Sequence, residues 1–200
     1  MGEVYFPGAT TLGVACKDGV IIASEKRVTY GYLVVSKSGK KVFKVSDNIG
    51  AACAGLIGDM QILMREIAAY ARLFELDNGR KISARAAAKL LSTILFRRRY
   101  FPYITQTIVG GVDDEEGPNV YTLDPFGSVI PDKYAAVGSG AEVAVGVLEA
   151  NYKDGLSLGE CRELVVQAMR SALARDATSG NGIDLLLVTK EGIKEENLPA

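Results

Sequence analysis

The chain has 200 residues, 48% of them apolar, and its 23 basic residues nearly cancel 24 acidic ones. That is enough chain for a sizeable core, and the balanced charge argues against nucleic acid or an anionic membrane as partner. There is no histidine, which excludes a Ser-His-Asp triad, a Cys-His dyad and the common His-based zinc sites. Any proton chemistry has to come from Lys, Asp, Glu or a free α-amino group.

The predicted elements begin with strands. Thr10 to Cys16 alternates loosely, Lys17-Asp18-Gly19 is a turn signal, and Val20 to Ser24 returns as a second strand. Lys40 to Val45 and Ile49 to Ala54 repeat the hairpin around Ser46-Asp47-Asn48. Their partly continuous apolar runs suit strands buried on both faces. Gly58 to Leu76 then places Ile62, Leu63, Ile67, Tyr70 and Phe74 at helical spacing, stopped by Asn78-Gly79. A second helix covers Ser83 to Tyr100, before Pro102. The basic run Arg97-Arg98-Arg99 reads as a charged turn at its C-terminus rather than a phosphate site.

Ile104 to Val112 is a strand ending at Gly110-Gly111, and Asn119 to Leu123 with Ser128 to Ile130 form a hairpin around Asp124-Pro125-Phe126-Gly127. Ala135-Ala136-Val137 leads into Gly138-Ser139-Gly140. Two more helices follow, Ala141 to Tyr152 and Ser157 to Arg175, the latter opening on a capping box with Glu160. Ile183 to Thr189 is the last buried strand, and Lys190 to Ala200 reads as a polar surface tail. No linker or composition break divides the chain, so helix pairs covering stacked sheets in one domain is the simple arrangement. Periodicity by itself leaves open whether the sheets stack.

Cys16, Cys53 and Cys161 are odd in number and form no CxxC pair, so they read as small buried hydrophobes in a reducing compartment, the cytoplasm by default. Met1 to Gly8 lacks the features of a signal peptide, and no apolar run approaches membrane-spanning length.

Several separated motifs together carry a family resemblance. They are Thr10-Thr11-Leu12-Gly13-Val14 with Lys17-Asp18-Gly19-Val20, Ala23-Ser24-Glu25-Lys26-Arg27, Lys40-Lys41-Val42-Phe43, Ala54-Gly55-Leu56-Ile57-Gly58-Asp59, Gly138-Ser139-Gly140, and Arg175-Asp176-Ala177-Thr178-Ser179-Gly180. In this order and spacing the chain resembles the β subunits of 20S proteasomes, of the archaeal branch. These are N-terminal-nucleophile hydrolases of the threonine peptidase type. The resemblance implies an α+β, four-layer αββα sandwich over residues 9–200 behind a short leader over 1–8, as in a zymogen that cleaves itself. It calls for no cofactor or metal. It implies seven-membered rings shared with proteasome α subunits and other β subunits, a regulatory ATPase acting through the α ring, and unfolded polypeptides as substrates.

The resemblance also assigns roles. In the family, self-cleavage frees a threonine whose hydroxyl attacks peptides while its α-amino group serves as base, with a pKa near ~8 that suits neutral pH. Lys41 corresponds to the lysine beside the nucleophile, Glu25 to the carboxylate that fixes it, and Arg27 to a structural basic residue of the same strand. Gly55 corresponds to the oxyanion-stabilising amide, and Ser139, Asp176 and Ser179 to the polar network near the amine. Taken alone, Gly-Ser-Gly and Thr-Ser-Gly are ordinary loop sequences. Val28, Cys53 and Ile57 would line an apolar substrate pocket.

One position departs. Counting back from Glu25 and Lys41 puts the nucleophile position at Ala9, which has no hydroxyl. Thr10 should face the opposite side of its strand, and Thr11 lies about 6.6 Å further along at roughly 3.3 Å per residue. A one-residue bulge could bring Thr10 into play. Three explanations stand: a naturally silent β subunit beside an active paralogue, a Thr-to-Ala form made to block processing, or use of Thr10 after cleavage at Ala9-Thr10. The Gly8-Ala9-Thr10 junction resembles that of one of the paired β subunits of some thermophilic archaea, which favours the first. Another type of N-terminal-nucleophile hydrolase, such as a bacterial protease relative, is the remaining alternative.

Overall fold

The computed structural model describes residues 8–199; the leader expected over 1–8 therefore lies, apart from Gly8, outside the described residues. The first hairpin is β1 (Thr11–Ala15) and β2 (Val20–Glu25), and a short two-stranded sheet follows, β3 (Val28–Tyr30) with β4 (Leu33–Ser36). Then come β5 (Val42–Ser46), β6 (Ile49–Gly55), α1 (Ile57–Asn78) and α2 (Ala84–Arg97). The second half runs β7 (Thr105–Asp113), β8 (Gly117–Leu123), β9 (Ile130–Asp132), β10 (Tyr134–Val137), α3 (Ala141–Asn151), α4 (Leu158–Leu173), β11 (Ile183–Thr189) and β12 (Gly192–Leu198).

Two five-stranded antiparallel sheets result, ordered β10-β1-β2-β11-β12 and β5-β6-β7-β8-β9. Each sheet has two faces to cover, and three separate apolar clusters cover them. Met60, Leu63 and Ile67 of α1 and Leu91 and Leu95 of α2 pack on Ile49, Ala51 and Cys53 of β6. Leu148 of α3 and Val165, Ala168 and Met169 of α4 pack on Leu12, Ile21 and Leu185 of the other sheet. Between the sheets lie Val20, Ile22, Ala52, Ile108, Leu186 and Val188. The layers are therefore helices, sheet, sheet, helices: an α+β αββα sandwich. Each fully buried Leu or Ile contributes roughly 1.5–3 kcal/mol. Strand alternation sends Leu12 and Val14 of β1 to the α3/α4 side.

Several expectations are corrected. β7 runs straight through Gly110-Gly111 to Asp113. The glycines serve close sheet packing, since a Cβ on Gly110 would sit 2.6 Å from Val20 Cγ1 and 2.7 Å from Ile22 Cδ1. The tail is polar and at the surface, as expected, but it also contains a strand that the sequence did not reveal: β12 pairs with β11 along its length. Its Lys194, Glu195 and Glu196 concealed the strand from sequence reading, and such charges suit an exposed sheet edge. Arg27 lies between β2 and β3 rather than on the strand of Glu25. The second helix stops at Arg97, and the following arginines stack on rings, Arg98 over Tyr103 at 4.6 Å and Arg99 over Phe96 at 4.3 Å. Among the described residues no helix is long and apolar enough to cross a membrane, and the three cysteines are free and buried.

Candidate active site

The site is assembled where the start of β1 meets the end of β2, the loop after β10 and the loop after α4. Ala9 has no exposed surface and packs with Val42, Ala52, Ala54 and Val137 between the sheets. Its amide donates to Ser139 Oγ at 3.1 Å, and its carbonyl accepts from the Gly140 amide at 3.3 Å. Gly138 is what allows this closeness. Its φ is +99°, and a Cβ there would collide with the Ala9 carbonyl.

Ser139 Oγ in turn lies 2.6 Å from Asp176 Oδ2 and donates to it. Ser179 Oγ donates to the same oxygen at 2.6 Å, and Thr10 Oγ1 lies 2.7 Å from Ser179 Oγ. Since the Ser179 proton is committed to the carboxylate, Thr10 is the donor in that last bond. Thr178 Oγ1 donates to Asp176 Oδ1 at 2.8 Å, as does the Thr178 amide at 3.1 Å, and the same hydroxyl lies 2.8 Å from Ser139 Oγ. Burial pushes the Asp176 carboxyl up, but the donors Ser139, Ser179 and Thr178 outweigh it and hold it below the ordinary aspartate value.

On the neighbouring edge, Glu25 and Lys41 form an ion pair with essentially no exposure, 0% and 2% of their side chains. Lys41 sits just before β5 and also donates to the Arg27 carbonyl at 2.5 Å. The second Glu25 oxygen accepts the amides of Arg27 at 2.6 Å and Gly180 at 3.0 Å. Burial pushes the Glu25 carboxyl up, opposed by the Lys41 ammonium and those two amides. The Glu25 amide donates to the Thr10 carbonyl at 3.1 Å, which sets this pair beside residues 9 and 10. Arg27 pins the loop after α4 from outside, Nε to Asn181 Oδ1 at 2.9 Å and Nη1 to the Ala177 carbonyl at 2.7 Å.

Ala9, Thr10, Glu25, Lys41, Ser139, Asp176 and Ser179 are thus brought into one contiguous region. Thr10 points to Ser179, and Gly140 could not carry a Cβ without striking its hydroxyl. Thr11 Oγ1 turns instead to the Val137 carbonyl at 3.4 Å. Gly55 ends β6 with φ +143°, and a Cβ there would strike the Ile104 carbonyl, so only glycine fits. Of the residues expected to line a pocket, Cys53 is fully buried under α1 and α2, where Ile57 also packs, and Val28 opens the β3–β4 sheet. Burial pushes the Cys53 thiol up to about 12, so it is held as a thiol at neutral pH. Sequence reasoning missed Thr178 and the Gly180 amide as members of the site. In the same loop Asn181 holds a φ of +67°, unusual for a residue with a side chain.

The arrangement contains a buried carboxylate–ammonium pair, a hydroxyl-ringed carboxylate and a chain amide between them. This is the setting for activating a hydroxyl on residue 9 and receiving an amine there. A family model described as proteasome subunit matches residues 5–188. The chain belongs to the proteasome subunit family. A proteasome subunit beta 2 from Pyrobaculum calidifontis is 47% identical over 198 residues, spanning 99% of this chain and 97% of the relative. A proteasome subunit beta 1 from Nitrosopumilus maritimus is 48% identical over 193 residues, 96% of each. A beta 1 subunit from Cenarchaeum symbiosum is 49% identical over 189 residues, 94% of this chain and 97% of the relative. As a proteasome subunit this chain is of the archaeal β type.

Proposed function

We propose that this chain is a β-ring subunit of an archaeal 20S proteasome that degrades unfolded proteins, and that it is itself catalytically silent. The observation that carries the reading is the methyl of Ala9 standing where a nucleophilic hydroxyl is required, with Ser139 on its amide and the Glu25–Lys41 pair alongside. Retaining the surrounding groups fits a structural use, because removing one member of a buried ion pair is costly. The leader over 1–8 stays attached to the domain over 9–200, as in an unprocessed zymogen, because nothing at position 9 can open the Gly8-Ala9 bond.

In this reading the chain shares seven-membered rings with an active β paralogue and stacks against α rings. A regulatory ATPase feeds unfolded chains through the α ring, in the cytoplasm. Gly55 supplies the oxyanion amide. The Thr10 alternative is disfavoured by its hydroxyl being committed to Ser179.

Intact-mass analysis of the purified protein tests the reading. A species that retains Gly8 is expected. A species beginning at Thr10, together with hydrolysis of a fluorogenic apolar peptide that is lost in Thr10→Ala, would replace silence with slippage.

A further inference from the structure

Residue 8 sits in a space with no room for a side chain. A Cβ built on Gly8 would overlap Thr178 Oγ1 and Cβ, and would lie 2.8 Å from Ser139 Oγ. The Thr178 side chain cannot swing away freely. Its hydroxyl is 2.8 Å from both Ser139 Oγ and Asp176 Oδ1, and its amide is bonded to the same aspartate. The loop behind it is pinned by Arg27 at Ala177 and Asn181. A one-residue seat is therefore walled by Thr178 and floored by Ser139, and the next amide along the chain, that of Ala9, is bonded to Ser139.

We propose that Thr178 is a specificity-determining residue that makes glycine obligatory immediately before position 9 and clamps the Gly8-Ala9 junction so that the Ala9 amide stays on Ser139. The proposal rests on the reading that this junction is uncut. It gives Thr178 a role apart from tuning Asp176: it selects what can precede the position where a nucleophile would stand. A Cβ on residue 8 must push the junction outward, and the hydrogen bond from the Ala9 amide to Ser139 then breaks first.

The test is amide hydrogen exchange at Ala9 in the full chain, compared among the native protein, Gly8→Ala and Gly8→Ala/Thr178→Gly. Gly8→Ala is expected to lower Ala9 protection by about tenfold, the scale of an overpacked side chain. Removing the Thr178 side chain should restore most of that protection in the double variant. Should Gly8→Ala alone fail to fold, recovery of folding in the double variant supports the seat equally. Unchanged protection in Gly8→Ala, or a double variant no better than the single, overturns the proposal. The mass of the native chain separately decides whether the junction is uncut, so the two failures are told apart.

Discussion

Two polar regions meet at the start of β1, and they are built on different principles. The Glu25–Lys41 pair is sealed from water, and each charge is hydrogen-bonded to the other and to main-chain groups, Lys41 to the carbonyl of residue 27 and Glu25 to the amides of residues 27 and 180. The Asp176 cluster is partly open and relies on three neutral hydroxyls, each donating one hydrogen bond to the carboxylate. A sealed pair fails abruptly when one member is removed, whereas a hydroxyl cluster weakens by degrees. Position 9 lies beside both regions and is equipped for neither task.

The largest expected effect lies on the sealed side. Lys41→Met leaves the Glu25 carboxylate buried without its cation and should cost about 3–5 kcal/mol in denaturant unfolding. A loss no greater than that of the Asp176 variant would erase the distinction between the two regions.

Asp176→Asn should cost less, about 1–2 kcal/mol after discounting for partial exposure. It should also change the pH profile. The folded-state pKa of Asp176 lies below its ordinary value of 3.8. The native state therefore holds this proton less tightly than the unfolded chain. The stability it contributes is complete above the unfolded value and is lost as pH falls through the folded one. Thermal scans of Asp176→Asn should thus converge on the native protein at acid pH and separate from it above about pH 4.

The smallest effect is expected for Thr10→Val, which removes one donor from Ser179 but keeps the shape, at about 1 kcal/mol. A loss of several kcal/mol there would mean that the hydroxyl cluster is as rigidly coupled as the ion pair.

Much of this candidate site was legible only through the family motifs, which carried the assignments residue by residue. Glu25 and Lys41 were assigned by that resemblance and lie within apolar strand stretches, and the missing histidines narrowed the acid–base groups before any geometry was known. The layers were less legible. A run such as Val20-Ile21-Ile22-Ala23 says that both faces are buried, but not that a sheet covers one and α4 the other. Thr178 gave no signal, because a threonine before Ser-Gly looks like any loop. Its importance comes from a neighbour, Gly8, that is far away in sequence. The β3–β4 hairpin was missed because its strands are short and its apolar residues, Leu33 and Val35 among them, are exposed. β12 was missed because its charges hid the strand.

In the proposed reading a single absent hydroxyl silences an otherwise complete site. The decisive experiment is peptidase activity of Ala9→Thr, assembled with archaeal α subunits and assayed on a fluorogenic apolar peptide. No turnover is expected from the native chain, and from the variant both turnover and a new N-terminus at residue 9. Turnover by the native chain would refute the silence, and a folded and assembled Ala9→Thr variant that neither cuts its own leader nor cleaves peptide would contradict the claim that the missing hydroxyl is its cause.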